Sequence, residues 1–399
     1  MSVKMPMQHS SHEMAGGARL GVRDVFEKCI VEYRSENRLS PVQAKAVKAI
    51  LACRTEQMGA NVTICPDCGH VEIHYNSCRN RNCPQCQSAS RTRWLLKRME
   101  NIMDVDHMHI VLTVPSELHQ LALANDVEFY NALFYSASRA VLRLCADERF
   151  LGAKPGITAI LHTWGQKMDF HPHIHMAATN GGIDRDGRWR NGKRLADGSP
   201  FLVPVRALSS MFRSIMLGRL RRMYRKGKIH FDAKQFEDAL KASDMKNWVA
   251  YCKKPFGGTR GVFEYFGNYT HRIAISNRRI LNVTDTETTF RYRDYSEKDA
   301  LRKQKILVLK NHEFARRFLM HVVPEGFMRI RHYGMYASPC RQERETVAEL
   351  LGIKRSDEEL ENDRDAILKP HPVVHECPVC HRREIHIVCT LGEYPSGYS

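Results

Sequence analysis

The sequence has no apolar run near the roughly 20 residues that cross a bilayer. Its first residues, Met1-Ser2-Val3-Lys4-Met5-Pro6, lack the apolar core of a signal peptide. Membrane insertion and export are therefore not expected, and a cytoplasmic location is. A Gly-x4-Gly-Lys-Ser/Thr phosphate loop is also missing, so no nucleotide cofactor is expected to supply energy. Acidic residues are scarce relative to basic ones: 44 Asp and Glu face 61 Lys and Arg, for a formal charge of +17. That imbalance favours a polyanionic partner, with nucleic acid first and an anionic membrane surface second.

What is present is a chain of 399 residues with 43% hydrophobic content, ordinary for a folded protein and long enough for two or more modules. The thirteen cysteines are an odd number and cluster mostly in C-x2-C and C-x4-C spacings, which reads as metal ligation and not as disulfides. Cys29, Cys145 and Cys252 stand alone in helix-like contexts, as buried small hydrophobes.

Residues 1–18 show no periodicity and read as a mobile tail. Helical spacing follows from Val25 to Tyr33, and a second helix starts at Ser40-Pro41 with serine as cap. Two Cys-Pro-x-Cys knuckles, Cys65/Cys68 and Cys83/Cys86, flank the short strand Val71 to Tyr75. This is zinc-ribbon spacing, and four thiolates would close a tetrahedron with no open position, so the site is expected to be structural. Cys53, His70, His74 and Cys78 are further candidates for the ligand set. Arg79 and Arg81 beside the ribbon, with Arg91 and Arg93, are candidate phosphate contacts.

The stretch richest in chemistry is Asp169 to Thr179, an apolar strand carrying His171, His173 and His175. Side chains alternate along a strand, so the three imidazoles share one face while Ile174 and Met176 take the other. Imidazoles held side by side make part of a divalent metal site that can polarise a phosphate oxygen. The strand Gly156 to Gly165 precedes it after a short loop, which predicts an antiparallel hairpin and offers His162 or Gln166 as a third ligand. A second His-x-His pair, His107 and His109, opens the strand ended by Pro115, and the reading favours His107 at the strand mouth with His109 buried behind the ligands.

Further on, Arg188-Trp189-Arg190 reads as a basic hairpin, and Val205 to Lys228 as an amphipathic helix. That helix bears Arg213, Arg219, Arg221, Arg222 and Arg225 without an acidic residue, a candidate phosphate track. Phe231 to Cys252 reads as another helix. Gly261 to Arg272 reads as a helix with Tyr265 and Tyr269 at i, i+4, two phenols on one face. Beyond it, strands are expected between Ala274 and Arg293, helices at Phe314 to Val323 and Gln342 to Leu351, and an acidic run at Ser356 to Asp365. A third knuckle, Cys377-Pro378-Val379-Cys380, is half a site; a second zinc drawing on Cys340, Cys377, Cys380 and Cys389 is the candidate.

A histidine-hydrophobic-histidine strand, a downstream Tyr-x3-Tyr helix and an N-terminal cysteine-rich module resemble the rolling-circle transposases of the insertion-sequence-ninety-one family, within the HUH single-strand endonuclease superfamily. The blocks Tyr75 to Gln87, His162 to Gln166, His171 to His175 and Tyr269 to Arg272 are similar to family blocks and stand in the family order. The resemblance implies that His173 and His175 bind a catalytic Mg2+ or Mn2+, with His162 a further candidate. It also implies that Tyr265 and Tyr269 are nucleophiles toward a phosphodiester of single-stranded DNA, that Arg272 lies at the DNA, and that zinc is structural. The expected fold is α+β: an HUH-type antiparallel sheet with flanking helices over residues 93–335, preceded by a helical and zinc-ribbon module at 19–92 and followed by a tail at 336–399. A replication initiator or relaxase with the same chemistry, and a non-catalytic zinc-containing DNA-binding regulator, are the alternatives.

Overall fold

The computed structural model of the chain describes residues 20–86, 102–253, 261, 273–297, 299, 303–352, 361–362, 377–381 and 386–391. The first described helix, α1 (Val22–Glu36), buries one stripe made of Val22, Val25, Phe26, Cys29, Ile30 and Tyr33. Ser40 starts α2 (Pro41–Ala52) through a capping box: its Oγ accepts from the Gln43 backbone N–H at 3.3 Å, while Gln43 Oε1 accepts from the Ser40 N–H at 2.9 Å. Reciprocal bonds of this kind satisfy two donors that the first helical turn leaves without partners. The ribbon strands β1 (Ala60–Ile64) and β2 (Val71–Tyr75) then pair antiparallel.

The chain next lays down β3 (His107–Thr113), the short helix α3 (His119–Ala124), α4 (Asp126–Cys145), β4 (Gly156–Trp164) and β5 (Phe170–Thr179). Two small hairpins follow, β6 (Gly181–Ile183) with β7 (Trp189–Asn191) and β8 (Lys193–Arg194) with β9 (Pro200–Phe201). After α5 (Val205–Arg225) and α6 (Ala233–Asp244) comes β10 (Ala250–Lys253). The rest comprises β11 (Ile280–Val283), β12 (Glu287–Arg293), β13 (Gln304–Lys310), α7 (Asn311–Leu319), β14 (Ile330–Gly334), α8 (Arg341–Leu350) and β15 (His386–Leu391).

The organising layer is a five-stranded antiparallel sheet in the order β10-β3-β5-β4-β14, with the histidine strand β5 at its centre. One face is apolar. Ile110, Leu112, Ile157, Leu161, Ile174 and Met176 pack with α4 and α5 side chains such as Phe129, Phe134, Phe212 and Leu220 in a single core. The opposite face carries the histidines and is covered by other parts of the chain, so β5 is buried along nearly its whole length. This is the α+β architecture expected from the sequence, with the predicted β4–β5 hairpin in place.

A second core joins α1, α2 and the cysteines Cys53, Cys78, Cys83 and Cys86 to Ile273, Phe290, Phe314 and Phe318. Phe26 of α1 meets Phe318 of α7 edge to face at 5.5 Å. The N-terminal helices thus pack on a sheet and helix that come more than 200 residues later.

One expected element is corrected. The helix read over Phe231 to Cys252 stops at Asp244, and Ala250–Lys253 is the edge strand β10, paired with β3. Helical periodicity does not see an open sheet edge, and pairing with β3 satisfies backbone groups that another helical turn would otherwise have served.

Two histidines are locked into this framework as neutral side chains. His107 lies between the Val105 carbonyl (2.8 Å) and the Tyr336 hydroxyl (2.9 Å), and His321 between Thr163 Oγ1 and the Met168 carbonyl, both at 3.1 Å. Burial disfavours the charged imidazolium and pushes each down to about 4 from the usual 6.5. Between those values the unfolded chain binds protons that the folded chain refuses, so stability is full above about pH 6.5 and falls as pH drops toward 4. Each histidine is expected to contribute on the order of 3 kcal/mol to that loss. Denaturant titrations at pH 7 and pH 4.5 check this, and a His321→Gln variant should lose less stability across the same interval.

Candidate active site and metal centres

Strands β4 and β5 pair with His162 directly opposite His173, and His175 follows one pleat along on the same face. One ring nitrogen from each of His162, His173 and His175 falls within a cluster no wider than 4.8 Å. The Nε2 atoms of His173 and His175 stand 3.0 Å apart, and the His162 ring centroid is 4.7 Å from that of His175. All three side chains are at least nine-tenths buried.

The surrounding hydrogen bonds settle how these rings are held. His173 Nδ1–H donates to the carbonyl oxygen of His171 at 2.6 Å, which turns the Nε2 lone pair toward His175. His175 Nδ1 meets Nε2 of His109 at 3.1 Å, with the two rings nearly parallel. With that proton donated by His175, both Nε2 lone pairs face the same space. Burial lowers His173 to about 4, and burial together with its three histidine neighbours takes His175 well below its ordinary value. A proton is a poor bridge in such a place, and a divalent cation is a good one. Octahedral donors about 2.1 Å from Mg2+ or Mn2+ stand about 3.0 Å apart at adjacent positions, which the His173–His175 spacing matches. A ligating imidazole that donates its other N–H to a carbonyl or a neighbouring acceptor is the usual support for such a site.

Three neighbouring expectations resolve differently. His171 supplies a backbone carbonyl to His173 and is not part of the cluster. His107, favoured from the sequence over His109, is held by Tyr336 instead, and His109 is the residue that reaches His175. The register of β3 against β5 decides this: His107 pairs with Thr179 and His109 with Ala177, one step from the ligand pair. Gln166 turns away, its carbonyl taken by Arg279 and its side chain by Tyr295 and the Arg293 backbone N–H. His109 could have been found from its alternation in the strand, but only the strand pairing selects it.

Tyr265, Tyr269 and Arg272 lie outside the described residues, as do Arg91 and Arg93. The strand that precedes the tyrosines, β10, places Lys253 opposite His109 at the edge of the histidine face. The arginines of α5 are on the far side of the sheet from the histidines, because α5 packs on the apolar face. Arg213 is engaged with Asp244 and the Lys246 carbonyl, and Arg219 covers the Tyr135 ring at 4.7 Å, whereas Arg221, Arg222 and Arg225 are exposed. Arg81 donates to the Phe327 carbonyl at 2.9 Å, and Arg79 is exposed on the same loop.

The cysteines form two tetrads, and neither has the composition expected from the sequence. Cys53, Cys78, Cys83 and Cys86 make a buried group with Sγ separations of 3.5 and 3.6 Å where given by the Cys53–Cys86 and Cys78–Cys86 pairs. Cys65 and Cys68 join Cys377 and Cys380, at 3.4 Å for Cys65–Cys380 and 3.5 Å for Cys68–Cys377. Thiolates tetrahedral on zinc at about 2.3 Å stand about 3.8 Å apart, and disulfide sulfurs only about 2.0 Å apart. The spacing therefore suits two closed zinc sites. The Cys65/Cys68 and Cys83/Cys86 knuckles belong to different sites, Cys78 serves the second of these, and Cys340 lies instead near Lys154 Nζ at 3.7 Å. Cys389 sits in β15, where its backbone pairs with Val62, and is not in either tetrad.

The first and third knuckles share one local geometry. The N–H after the second cysteine donates to the carbonyl of the first, Gly69 to Cys65 and His381 to Cys377, both at 2.9 Å, and both residues have left-handed backbone. Backbone N–H groups turned toward Cys65 hold its thiol down to about 7, which favours the ligating thiolate. Antiparallel pairing of β1 with β15 then closes the second tetrad over 300 residues of intervening chain.

An antiparallel sheet with a histidine cluster on one face, joined to thiolate sites, defines a metal-dependent DNA-processing protein of the transposase class, and the comparisons agree. Residues 25–114 match the "Transposase zinc-binding domain" and residues 156–344 the family described as "Putative transposase". The chain is 36% identical over 382 residues to "Putative transposase y4qJ" of Sinorhizobium fredii, covering 91% of this chain and 94% of that protein. It is 27% identical over 336 residues to "Transposase for insertion sequence element IS801" of Pseudomonas savastanoi pv. phaseolicola, covering 81% of this chain and 78% of that one. The chain belongs to the IS91 family of transposases. Among solved structures it is similar to the conjugative relaxase TrwC in complex with oriT DNA. The metal-bound form matches at 15% identity and a TM-score of 0.25, over 66% of this chain and 83% of that one. The metal-free form matches at 15% identity and a TM-score of 0.22, over 61% and 72%.

Two tests follow from the metal centres. Metal analysis of purified protein should find two zinc ions per chain, and Cys377→Ser should retain one; two zinc ions in that variant would contradict the Cys65, Cys68, Cys377, Cys380 set. At the histidine cluster, His109→Phe should weaken Mn2+ binding by about 10- to 100-fold, the range seen when a ligand's supporting partner is lost. Titration with Mn2+ followed by electron paramagnetic resonance measures it.

Proposed function

We propose that this transposase cuts and rejoins single-stranded DNA through a tyrosine nucleophile, assisted by Mg2+ or Mn2+ at His162, His173 and His175. The observation that carries the reading is the convergence of three neutral, buried imidazoles on one face of an antiparallel sheet. Family membership supports it. The metal, when bound, would polarise a phosphate oxygen and favour the charge that develops there.

The chain's own residues do the rest. Tyr265 and Tyr269 are the nucleophile candidates. The attacking phenol gives up its proton as its oxygen bonds to phosphorus, the bond to the 3′ oxygen breaks, and that oxygen leaves as a free 3′-hydroxyl. The product is a 5′-phosphotyrosine that keeps the phosphoester bond energy. Attack by a 3′-hydroxyl on the adduct reverses the step and joins a new strand, so no nucleotide is consumed. The two tyrosines act in turn, one opening the donor strand and the other completing transfer. His109 holds His175 in its ligating orientation through the 3.1 Å contact between their ring nitrogens.

In this reading the ribbon around Arg79 and Arg81 and the exposed arginines of α5 contact phosphates on opposite sides of the molecule. Residues 19–92 serve as a DNA-gripping module ahead of the 93–335 strand-transfer domain, with the 336–399 tail completing the second zinc site.

Incubation with single-stranded oligonucleotides spanning the element ends, in Mg2+ or Mn2+, tests the chemistry. A protein–DNA adduct stable to denaturant is expected, and His173→Ala or His175→Ala should reduce it by at least about 100-fold, the size of a lost catalytic term. Tyr265→Phe and Tyr269→Phe should each block complete strand transfer; two variants that both complete it would refute alternating tyrosines. The absence of an adduct on any end sequence would favour a DNA-binding regulator whose histidines are structural.

A further inference from the structure

The histidine face of the central sheet continues past the metal cluster into a polar cavity that the proposed chemistry does not use. Its volume is about 240 Å³, and its lining includes Thr158, His332, Tyr336, Arg341 and Arg344. Thr158 lies on β4 four residues from His162 and on the same face, a distance of roughly 13 Å along a strand. His332 of β14 pairs directly with Thr158, and its Nδ1 is 3.1 Å from Thr158 Oγ1. The wall opposite the sheet is α8, whose Arg341 and Arg344 stand one turn apart.

These groups are built into the fold. Arg344 is only 7% exposed and donates to the Met335 carbonyl at 3.1 Å. The Tyr336 hydroxyl is anchored by His107 at 2.9 Å, so its ring forms a fixed side of the cavity. Arg341, paired with Glu345 at 2.8 Å, keeps 73% of its side chain in solvent at the mouth. The result is a small pocket with an aromatic wall, hydroxyl and imidazole groups at its floor and guanidinium groups opposite. A flat aromatic face with adjacent cationic and hydrogen-bonding groups is the combination that holds one unstacked base and its phosphate. The volume admits a single nucleotide's base and little more.

We propose that this cavity binds one nucleotide of the substrate strand, close to the phosphate held at the histidine cluster. The base stacks on Tyr336 and meets Thr158 and His332, while its phosphate lies at Arg341. It would make the pocket a reader of sequence beside the cleavage position. The inference rests on the proposed action upon single-stranded DNA, but it concerns binding and needs no cleavage.

The experiment is therefore run without Mg2+ or Mn2+. The full-length zinc-loaded protein is equilibrated with a randomised single-stranded 20-mer library, and the bound fraction is sequenced. The wild type should enrich particular bases at one position. Thr158→Val and Arg341→Ala should flatten that position and weaken binding of the enriched sequence roughly tenfold, as losing a specific contact does. Arg221→Ala, on the opposite side of the sheet, should weaken binding evenly across sequences. A wild-type pool without positional preference, or an Arg341→Ala profile that merely scales like Arg221→Ala, would overturn the pocket. Adduct formation with Mg2+ is scored separately, so failure of the tyrosine chemistry and failure of the nucleotide pocket are distinct results. Thermal melting of each variant identifies any loss of folding, and Arg341→Lys, which keeps the charge without the planar fork, should recover affinity more than base preference.

Discussion

Three imidazoles kept neutral by burial are the constraint on which the rest of the structure depends. Isolated buried histidines are inexpensive as long as they stay uncharged, but lone pairs facing each other at 3.0 Å are unfavourable without a cation between them. The sheet holds them there regardless. β5 is sandwiched between β3 and β4, with Ile174 and Met176 anchored in the apolar core behind it, so the ligand side chains cannot relax apart. Preorganisation of this kind spends folding energy to fix a geometry that has no use for the fold itself.

The same sheet separates two environments. Behind it, α4 and α5 close an apolar core; in front, polar side chains run from the histidines to the cavity beneath α8. A DNA-acting protein needs a rigid back wall and a polar front surface, and alternation along antiparallel strands provides both from one set of residues. The basic helix α5 belongs to the back wall. Its charges therefore serve a different part of the polyanion, or long-range attraction, and not the metal cluster.

The zinc sites play complementary mechanical parts. The buried tetrad sits within the core that joins α1 and α2 to Phe290, Phe314 and Phe318, and so helps unite the beginning of the chain with its later helices. The half-exposed tetrad ties β15 back to the ribbon strand β1. Metal ligation suits such closures, because two short knuckles contribute little apolar burial of their own.

Local features were legible in the sequence. The alternation of His171, His173 and His175, the Ser40 cap, the knuckle spacing and the β4–β5 hairpin all rest on residues within a dozen positions of one another, where propensity and periodicity act directly. The helix expected through Cys252 failed because an unpaired sheet edge competed for that segment. Other choices belonged to tertiary structure alone: His109 over His107 behind His175, and Cys53 and Cys377 as completing ligands of two different tetrads. The sequence by itself determined that the chain would bind metal at histidines on a strand and at cysteine knuckles. Which knuckle meets which was decided by strand register and chain closure, since a ligand pair carries no local information about the partner that will complete its tetrahedron.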